Sequence, residues 1–508
     1  MSKQSYSVRR APFSYNLLGG GLNSTSGPLG VSDQESSELL NIDFNKFGSI
    51  LSRNGYTQLN TSATSGTVRS DGLYWFEYGP TPVRYAINVT SNALYKMDSL
   101  DGTWDDITGT ATLTAGNNCD FETFLDTLLV ANGTNIPCYW PGTGNAANMT
   151  VPTGLSTAKF VKQFQNYTIL ANTTISATEH KSRFYWSAIK TIATWDAADF
   201  IDIAPNDGQG ITGVKVLGDR LIFYKDRSVY IALFTGDADI PFTVYKSNSS
   251  VGCNAPFSIQ EANNGHIFLS YDGLYFFDGL NSYKLSDKIN DTILGLNRNK
   301  LWDAKSLYQR DKNKYWLSCA SSSSATNDTV IIWDTFNIAF SKYDGINASA
   351  MGTFLINGVD ERPYFADYAG FSYRADTGDD DYPAGVQTAI DSYYYTNWKW
   401  FGDLVDEKAT PHAVIFYQIS SSVLTFSYSY DFDSQNQRSL LIDLSSSGAV
   451  YDSAIYGTDV YGATGGSLHR VDMTGRGRVL RIGFANNNLG EKFQIDGLGV
   501  FVGLETQQ

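Results

Sequence analysis

The chain has 508 residues, 14% of them Phe, Trp or Tyr and only 18% charged, against about 25% charged in an average soluble protein. With 42% hydrophobic residues it can bury a large core, and its 46 glycines belong to turns and strand faces; a coiled coil, a helical bundle and a collagen-like rod are excluded. A net charge of −15, from 52 acidic and 37 basic residues, argues against gripping the DNA backbone or anionic lipid, and the length suggests roughly three structural units.

The opening, MSKQSYSVRRAPFSYNLL, has basic residues but no apolar stretch of the length a secretory signal needs. No run of about 18 apolar residues follows anywhere, so no membrane-spanning helix is expected. Gly19-Gly20-Gly21 is too flexible for a strand. Ser32-Asp33-Gln34-Glu35 has capping-box spacing, and with Leu39 and Leu40 behind it predicts a short helix. Residues 1–60 thus read as an N-terminal arm with a short helix.

Residues 61–385 carry a repeat, an apolar run and a short turn followed by an aromatic-centred strand. Its markers are Tyr95, Tyr139, Tyr185, Tyr230, Tyr275, Ile332 and Tyr373, spaced 44, 46, 45, 45, 57 and 41 residues apart. A four-stranded propeller blade occupies about 40–50 residues, so the fold class is all-β, with a β-propeller of six or seven blades. The long interval contains Ser321 to Ser324 and Asn327, read as an enlarged hairpin loop. Lys225-Asp226-Arg227-Ser228 and Asp272-Gly273 mark hairpin turns, and Asp71-Gly72 repeats the second wording. The acidic stretch Asp376 to Asp381 reads as a solvated linker. Beyond it, residues 386–508 hold longer runs of alternating polarity, such as HAVIFYQIS and SVLTFSYSYDFD, which predict a C-terminal antiparallel β-sandwich.

Chemistry is sparsely signalled. Cys119, Cys138, Cys253 and Cys319 have no CxxC spacing and read as buried free thiols, with Cys119 and Cys138 the one pair left open. His180, His266, His412 and His469 form no ligand or triad pattern, and there is no phosphate loop or GxSxG. Asp376, Asp379, Asp380 and Asp381, or Asp431 with Asp433, are the best calcium candidates, but neither set completes a calcium loop. Ser99-Leu100-Asp101-Gly102-Thr103-Trp104 is a broken version of the sialidase Asp-box. No enzyme activity, no cofactor and no metal is expected.

The words Gly20-Gly21-Leu22-Asn23, then Glu38, Leu39 and Asn41, Asp43-Phe44, Gly48, and Arg53, Gly55 and Tyr56 form a pattern. It resembles the opening of tail hub or nozzle proteins from short-tailed bacteriophages. VLGDRLIFYKDRSVYIA, GHIFLSYDGLYFFDG and the ending GRGRVLRIGFANNNLGEKFQIDGLGVFV continue the resemblance over most of the chain. The resemblance implies a compact, non-catalytic virion protein assembled in the host bacterial cytoplasm. It implies a homo-oligomeric, usually hexameric, ring below the portal and head-to-tail adaptor, holding tail fibre, spike or needle proteins. Genomic DNA would transit its channel without specific binding, which suits the acidic composition. The N-terminal arm would then lock neighbouring subunits or seal the propeller. The alternative is a glycan-binding or glycan-cleaving propeller at the host surface, with Trp75, Trp104, Trp140 or Trp186 as stacking platforms.

Overall fold

Short apolar runs punctuated by polar turns leave strands as the only way to bury this much aromatic surface. The computed structural model describes residues 10–15, 18–44, 47–66, 68–98, 100–356, 358–402, 404–445 and 466–504. Residues 1–9, 16 and 17 of the basic opening, and Ser99, lie outside the described residues. The chain divides into two compact units, Thr57–Val330 with Ile346–Ala375, and Met1–Tyr56 with Ile331–Gly345 and Asp376–Gln508.

Seven four-stranded sheets are found among the described residues. Their first strands are Ser70–Tyr78, Asp120–Phe124, Leu155–Phe164, Ile211–Leu217, Gln260–Ala262, Lys305–Gln309 and Ala350–Ile356. These strands touch in succession, with the turn Pro256–Ser258 bridging from the fourth, and the last touches the first. The sheets therefore close a circle: the fold is a seven-bladed β-propeller. The fourth strand of the seventh blade is Tyr56–Gln58, which precedes the first blade in sequence. Leu59 N donates to Ser372 O at 2.8 Å just beyond it, so backbone hydrogen bonds close the ring.

All seven repeat markers fall on third strands. Tyr95 lies in Ala93–Asp98, Tyr139 in Cys138–Trp140, Tyr185 in Thr178–Ser187 and Tyr230 in Val229–Phe234. Tyr275 lies in Leu274–Phe277, Ile332 in Thr329–Asp334 and Tyr373 in Ser372–Ala375. Apolar side chains fill the gaps between blades. Phe76, Val130 and Trp140 join the first two, and Phe160, Phe184 and Phe223 the third and fourth. Leu73, Ala86 and Phe354 join the first to the seventh.

Three local readings change. The 57-residue interval holds more than the loop at 320–328, because helical turns fill 286–303, including the helix Asn290–Leu294. Asp71-Gly72 is not a turn but a bulge inside the first strand, where the register shifts between Ser70 and Gly72. A Cβ on Gly72 would stand 2.5 Å from the Phe121 ring, so the bulge lets neighbouring blades approach. Asp272-Gly273 does close a hairpin, but as part of a four-residue loop, with Leu269 opposite Leu274 and Ser270 N donating to Gly273 O.

The other unit is a β-sandwich. One sheet runs Ser36–Leu40, Ser392–Thr396, Leu480–Asn486, Val423–Tyr430, Arg438–Asp443. The other runs Ile42–Asp43, Ile50–Ser52, Gln494–Leu504, Lys408–Gln418, Gly466–Asp472, with Arg10–Tyr15 also pairing along Gln494–Leu504. Leu424, Phe426, Ile482 and Phe484 are buried in the first sheet, and Ala413, Ile415, Leu498 and Val500 in the second.

The expected boundaries at 60 and 385 shift accordingly. The first 56 residues are not a separate arm, because their strands pair within the sandwich sheets of the same chain. The expected helix is also replaced. Glu35 does reach back to Ser32 N at 3.1 Å, as a capping box does, but Ser36–Leu40 then pairs as a strand with Ser392–Thr396. Adjacent Leu39 and Leu40 have no helical period, and Ser36 Oγ donates to Tyr395 O, so sheet pairing prevails. No described helix is long and apolar enough to cross a membrane.

Candidate functional site: a buried arginine lock and an axial lysine cavity

Among the residues of the N-terminal pattern, Arg53 is the most enclosed charged side chain, 1% exposed. Its five guanidinium hydrogens are all engaged. Nε donates to Asn41 Oδ1 at 2.8 Å, Nη1 to Asn54 O at 2.9 Å and Nη2 to Asp344 O at 3.0 Å. Nη1 and Nη2 together bind Asp381 as a fork, at 2.8 and 2.6 Å. Lysine cannot reproduce that planar fork. Burial pushes the Asp381 carboxyl up and opposes the Arg53 charge, but their hydrogen bonds and mutual attraction hold the guanidinium above its ordinary value.

The other signature residues also take fixed places, some beside this pair and some elsewhere in the same unit. Asn41, at φ 54°, donates to Asp344 and to Asp391 O. Tyr343 donates to Asp43, and Asn337 Nδ2 to Phe44 O at 2.8 Å. Tyr56 donates to Gly345 O at 3.0 Å. Asn23 Nδ2 donates to Glu35 at 2.8 Å, and Leu22 N to Phe340 O at 2.8 Å. The glycines are close-approach positions. A Cβ on Gly20 would meet Gln34 O at 2.7 Å, one on Gly21 would meet Phe340 N at 2.6 Å, and one on Gly55 would meet Asp380 O at 1.8 Å. Apart from half-buried Gly20, these signature residues are buried within the chain.

The acidic stretch is likewise no solvated linker. Asp376 accepts from Asn54, Asp380 from Gly490 N and Gln387, and Asp379 pairs with Lys492 at 2.6 Å. Asp376, Asp380 and Asp381 are all at most 8% exposed, and each accepts at least one hydrogen bond from elsewhere in the chain. Asp431 accepts from Arg478 N, and Asp433 from the turn at Asn436. No group of His, Cys, Asp and Glu among the described residues has a metal-binding arrangement. Asp101 of the Asp-box-like stretch holds a turn through Thr103 N.

The propeller axis carries a second polar feature. A cavity of about 390 Å³ is lined from the first strands of the blades by Asp71, Tyr74, Asp120, Phe121, Lys215 and Lys305, among others. Two other buried lysines of the propeller are well supplied with acceptors. Lys162 Nζ donates to Asp120 Oδ1 and Phe121 O, both at 2.8 Å, and Lys225 Nζ to Ile203 O at 2.6 Å and both Asp207 oxygens. Lys305 Nζ has no hydrogen-bond partner; Asp303 Oδ1 lies at 3.6 Å and the Phe257 ring centroid at 4.5 Å. Desolvation brings its pKa down to about 7, against the attraction of Asp303 and with the help of Arg69.

The unfolded chain, with Lys305 near its ordinary 10.5, binds more protons than the folded one between pH 7 and 10.5. This residue therefore makes the protein more stable as pH rises through that window. Urea midpoints at pH 7 and pH 9 are expected to rise more in the wild type than in Lys305→Met; equal slopes would contradict the assignment.

The four cysteines are free and buried. Burial pushes Cys138 and Cys253 up to about 12, and raises Cys119 as well. Ellman's reagent is expected to find no fast-reacting thiol in the native protein and four after denaturation. His266 is a core histidine: it sits 2.9 Å from the Tyr224 hydroxyl and 3.1 Å from Val216 O, and burial lowers it to about 4. Trp140 and Trp186 are buried between blades, whereas Trp75 and Trp104 are half-buried.

Sequence signals for the lock were present in part. The glycines and Arg53 stood in the recognised pattern; Asp381, Asp344 and Asn41's role depend on contacts more than 290 residues apart, or on φ, and had no local signal. Lys305 had none, since a lone lysine in a strand looks exposed.

Neither a protein-family model nor a curated protein matches the chain. Among solved structures it is similar to YCF48 bound to D1 peptide, at 10% identity over 67% of this chain and 98% of that one, TM-score 0.43. It is also similar to YCF48 from Cyanidioschyzon merolae, at 12% identity over 63% and 98%, TM-score 0.41. A third is the WD40 propeller domain of Doa1, at 8% identity over 63% and 96%, TM-score 0.38. At such distances these similarities concern the fold and have no bearing on activity.

Proposed function

We propose that this chain is a structural subunit of a bacteriophage tail, one copy of a hub or nozzle ring of six. The ring extends the DNA-ejection channel below the portal and adaptor and holds distal fibre, spike or needle proteins in the virion. One observation carries the reading. Within the segment that resembles tail hub proteins, Asn41, Gly55 and Tyr56 pack about the buried fork of Arg53 and Asp381, and Asp43 holds Tyr343, over whose ring Arg53 lies.

The electrostatics agree. A net charge of −15 suits a conduit along which DNA slides without phosphate contacts. The conduit is the lumen of the ring and not the propeller axis, because a cavity of about 390 Å³ cannot take a duplex whose major groove alone is about 12 Å wide. Exposed apolar side chains offer subunit contacts: Leu441 is 74% exposed, and Phe416 and Leu468 stand opposite each other across two strands, both exposed. Four free thiols accord with assembly in a reducing cytoplasm. A glycan-binding propeller would have to rely on Trp75 and Trp104, since Trp140 and Trp186 are enclosed.

Negative-stain images of the purified full-length protein test the proposal. Closed rings with an open central lumen are expected, stacking on the head-to-tail adaptor when it is added. Single particles that ignore the adaptor would overturn it.

A further inference from the structure

The two ends of the propeller show different surfaces to solvent. Each blade is antiparallel, so the loops after its first and third strands emerge at one end, and those after its second and fourth at the other. Two grooves mark the division. Asp219, Asn264 and Asp278 share one, and Asp207, Asp226, Ser250 and Asp272 share the other.

The first end is acidic. In the first five blades its loops carry Asp101, Asp126, Asp219, Asp237, Asp239 and Asp278 against one base, Lys190. In the fourth blade, residues 235–241 form a knob ordered by its own hydrogen bonds. Thr235 N donates to Pro241 O at 2.9 Å and Thr235 Oγ1 to Ile240 O at 2.5 Å, while Asp237 Oδ1 accepts from Asp239 N and Ile240 N. The knob displays Ile240, 63% exposed, beside two exposed carboxylates. An apolar side chain fixed in solvent on a pre-ordered loop is a contact whose ordering cost is already met.

The other end has the complement. The helical turn Arg298–Asp303 displays Trp302, 44% exposed, with its Nε1 donating to Asn299 O at 3.1 Å and Lys300 Nζ 5.7 Å from its ring centroid. Arg298 lies 4.1 Å from the ring centroid of Tyr271, 57% exposed, and donates to Tyr271 O. The third charge of this turn, Asp303, is buried, so the turn presents aromatic surface and two cations.

We propose that these surfaces meet between copies of the chain, the 235–241 knob of one subunit seating on the Tyr271 and Trp302 surface of the next, and that this contact holds the ring closed. The inference rests on the ring proposed above. A second copy is the fitting occupant because each surface combines apolar area with charge, and the charges are opposite in sign. The surfaces also lie at opposite ends of the propeller, so their contact is head-to-tail, the kind that generates a closed ring. Knob against knob would set Asp237 and Asp239 against their own copies, which like-charge repulsion opposes.

Charge reversal in the full-length protein tests the contact, with mass read by light scattering. Asp237→Lys with Asp239→Lys gives a chain on which both surfaces are basic, and Arg298→Glu with Lys300→Glu one on which both are acidic. None of the four residues is buried, and circular dichroism of each variant should match the wild type. Each variant alone is expected to fall to the mass of a single chain. An equimolar mixture is expected to regain the wild-type mass, because alternating copies again set acid against base and a ring of six has an even number of places. Either variant alone keeping the wild-type mass, or a mixture that stays dissociated, would overturn the contact and leave the ring. A wild-type protein that is itself a single chain would overturn both.

Discussion

Arg53→Met is expected to destabilise the sandwich unit by about 3–5 kcal/mol, the usual cost of removing one partner from a buried ion pair. The substitution fills similar volume, so the loss comes from electrostatics rather than a cavity. Asp381 is left with a buried carboxylate facing apolar carbon, and Asn41 Oδ1, Asn54 O and Asp344 O each lose their donor. Arg53→Lys is expected to recover only part of this, since a single ammonium cannot address all of those acceptors at once. Adding Asp381→Leu to Arg53→Met should restore stability relative to the single variant, because it removes the unpaired charge. Urea unfolding followed by tryptophan fluorescence measures all three. A loss below about 1 kcal/mol for Arg53→Met would mean that the fork is not holding the fold together.

Gly55→Ala should be as damaging through sterics alone. The new methyl would lie 1.8 Å from Asp380 O and 2.4 Å from Asp380 C, which are backbone atoms and cannot rotate aside. The chain on both sides is held, since Gly55 N donates to Gly378 O and Thr377 N to Gly55 O. Relief therefore requires moving the 376–381 segment and with it the Asp381 carboxylate that grips Arg53. Overpacking of this kind costs about 1–3 kcal/mol and occasionally more, and backbone atoms that cannot give put this site at the upper end. Gly27→Ala provides the comparison, as nothing lies within 4 Å of its Cβ position, and it should change stability by less than about 0.5 kcal/mol. Similar thermal midpoints for the two alanine variants would contradict the geometry.

The propeller was readable because its signal repeats. A marker every 45 residues or so survives local misreading, and even the 57-residue interval kept Ile332 on a third strand. The helical turns at 286–303 were missed although Ile289, Ile293 and Leu296 have helical spacing and are all buried. They sit in the long interval, where only an enlarged hairpin loop at 321–327 is expected, and their run is short. The first 56 residues were misassigned for a different reason. Sheet partners such as Leu39 and Tyr394 lie some 350 residues apart, and only topology can reveal such pairing.

The acidic stretch shows the same limit from the other side. Four aspartates in six residues have the composition of solvated chain, yet Arg53, Asn54, Lys492 and Gly490 N turn them into acceptors. Composition fixes how many acceptors a segment offers; the fold decides whether donors are waiting. Lys305 is the inverse case, a buried donor for which no acceptor was supplied.

Light scattering on the full-length protein after size-exclusion chromatography tests the ring most directly. The proposed hub predicts one species with a mass six times that of the 55.9 kDa chain, persisting on dilution. A mass of a single chain at every concentration, with the adaptor present or absent, would contradict it.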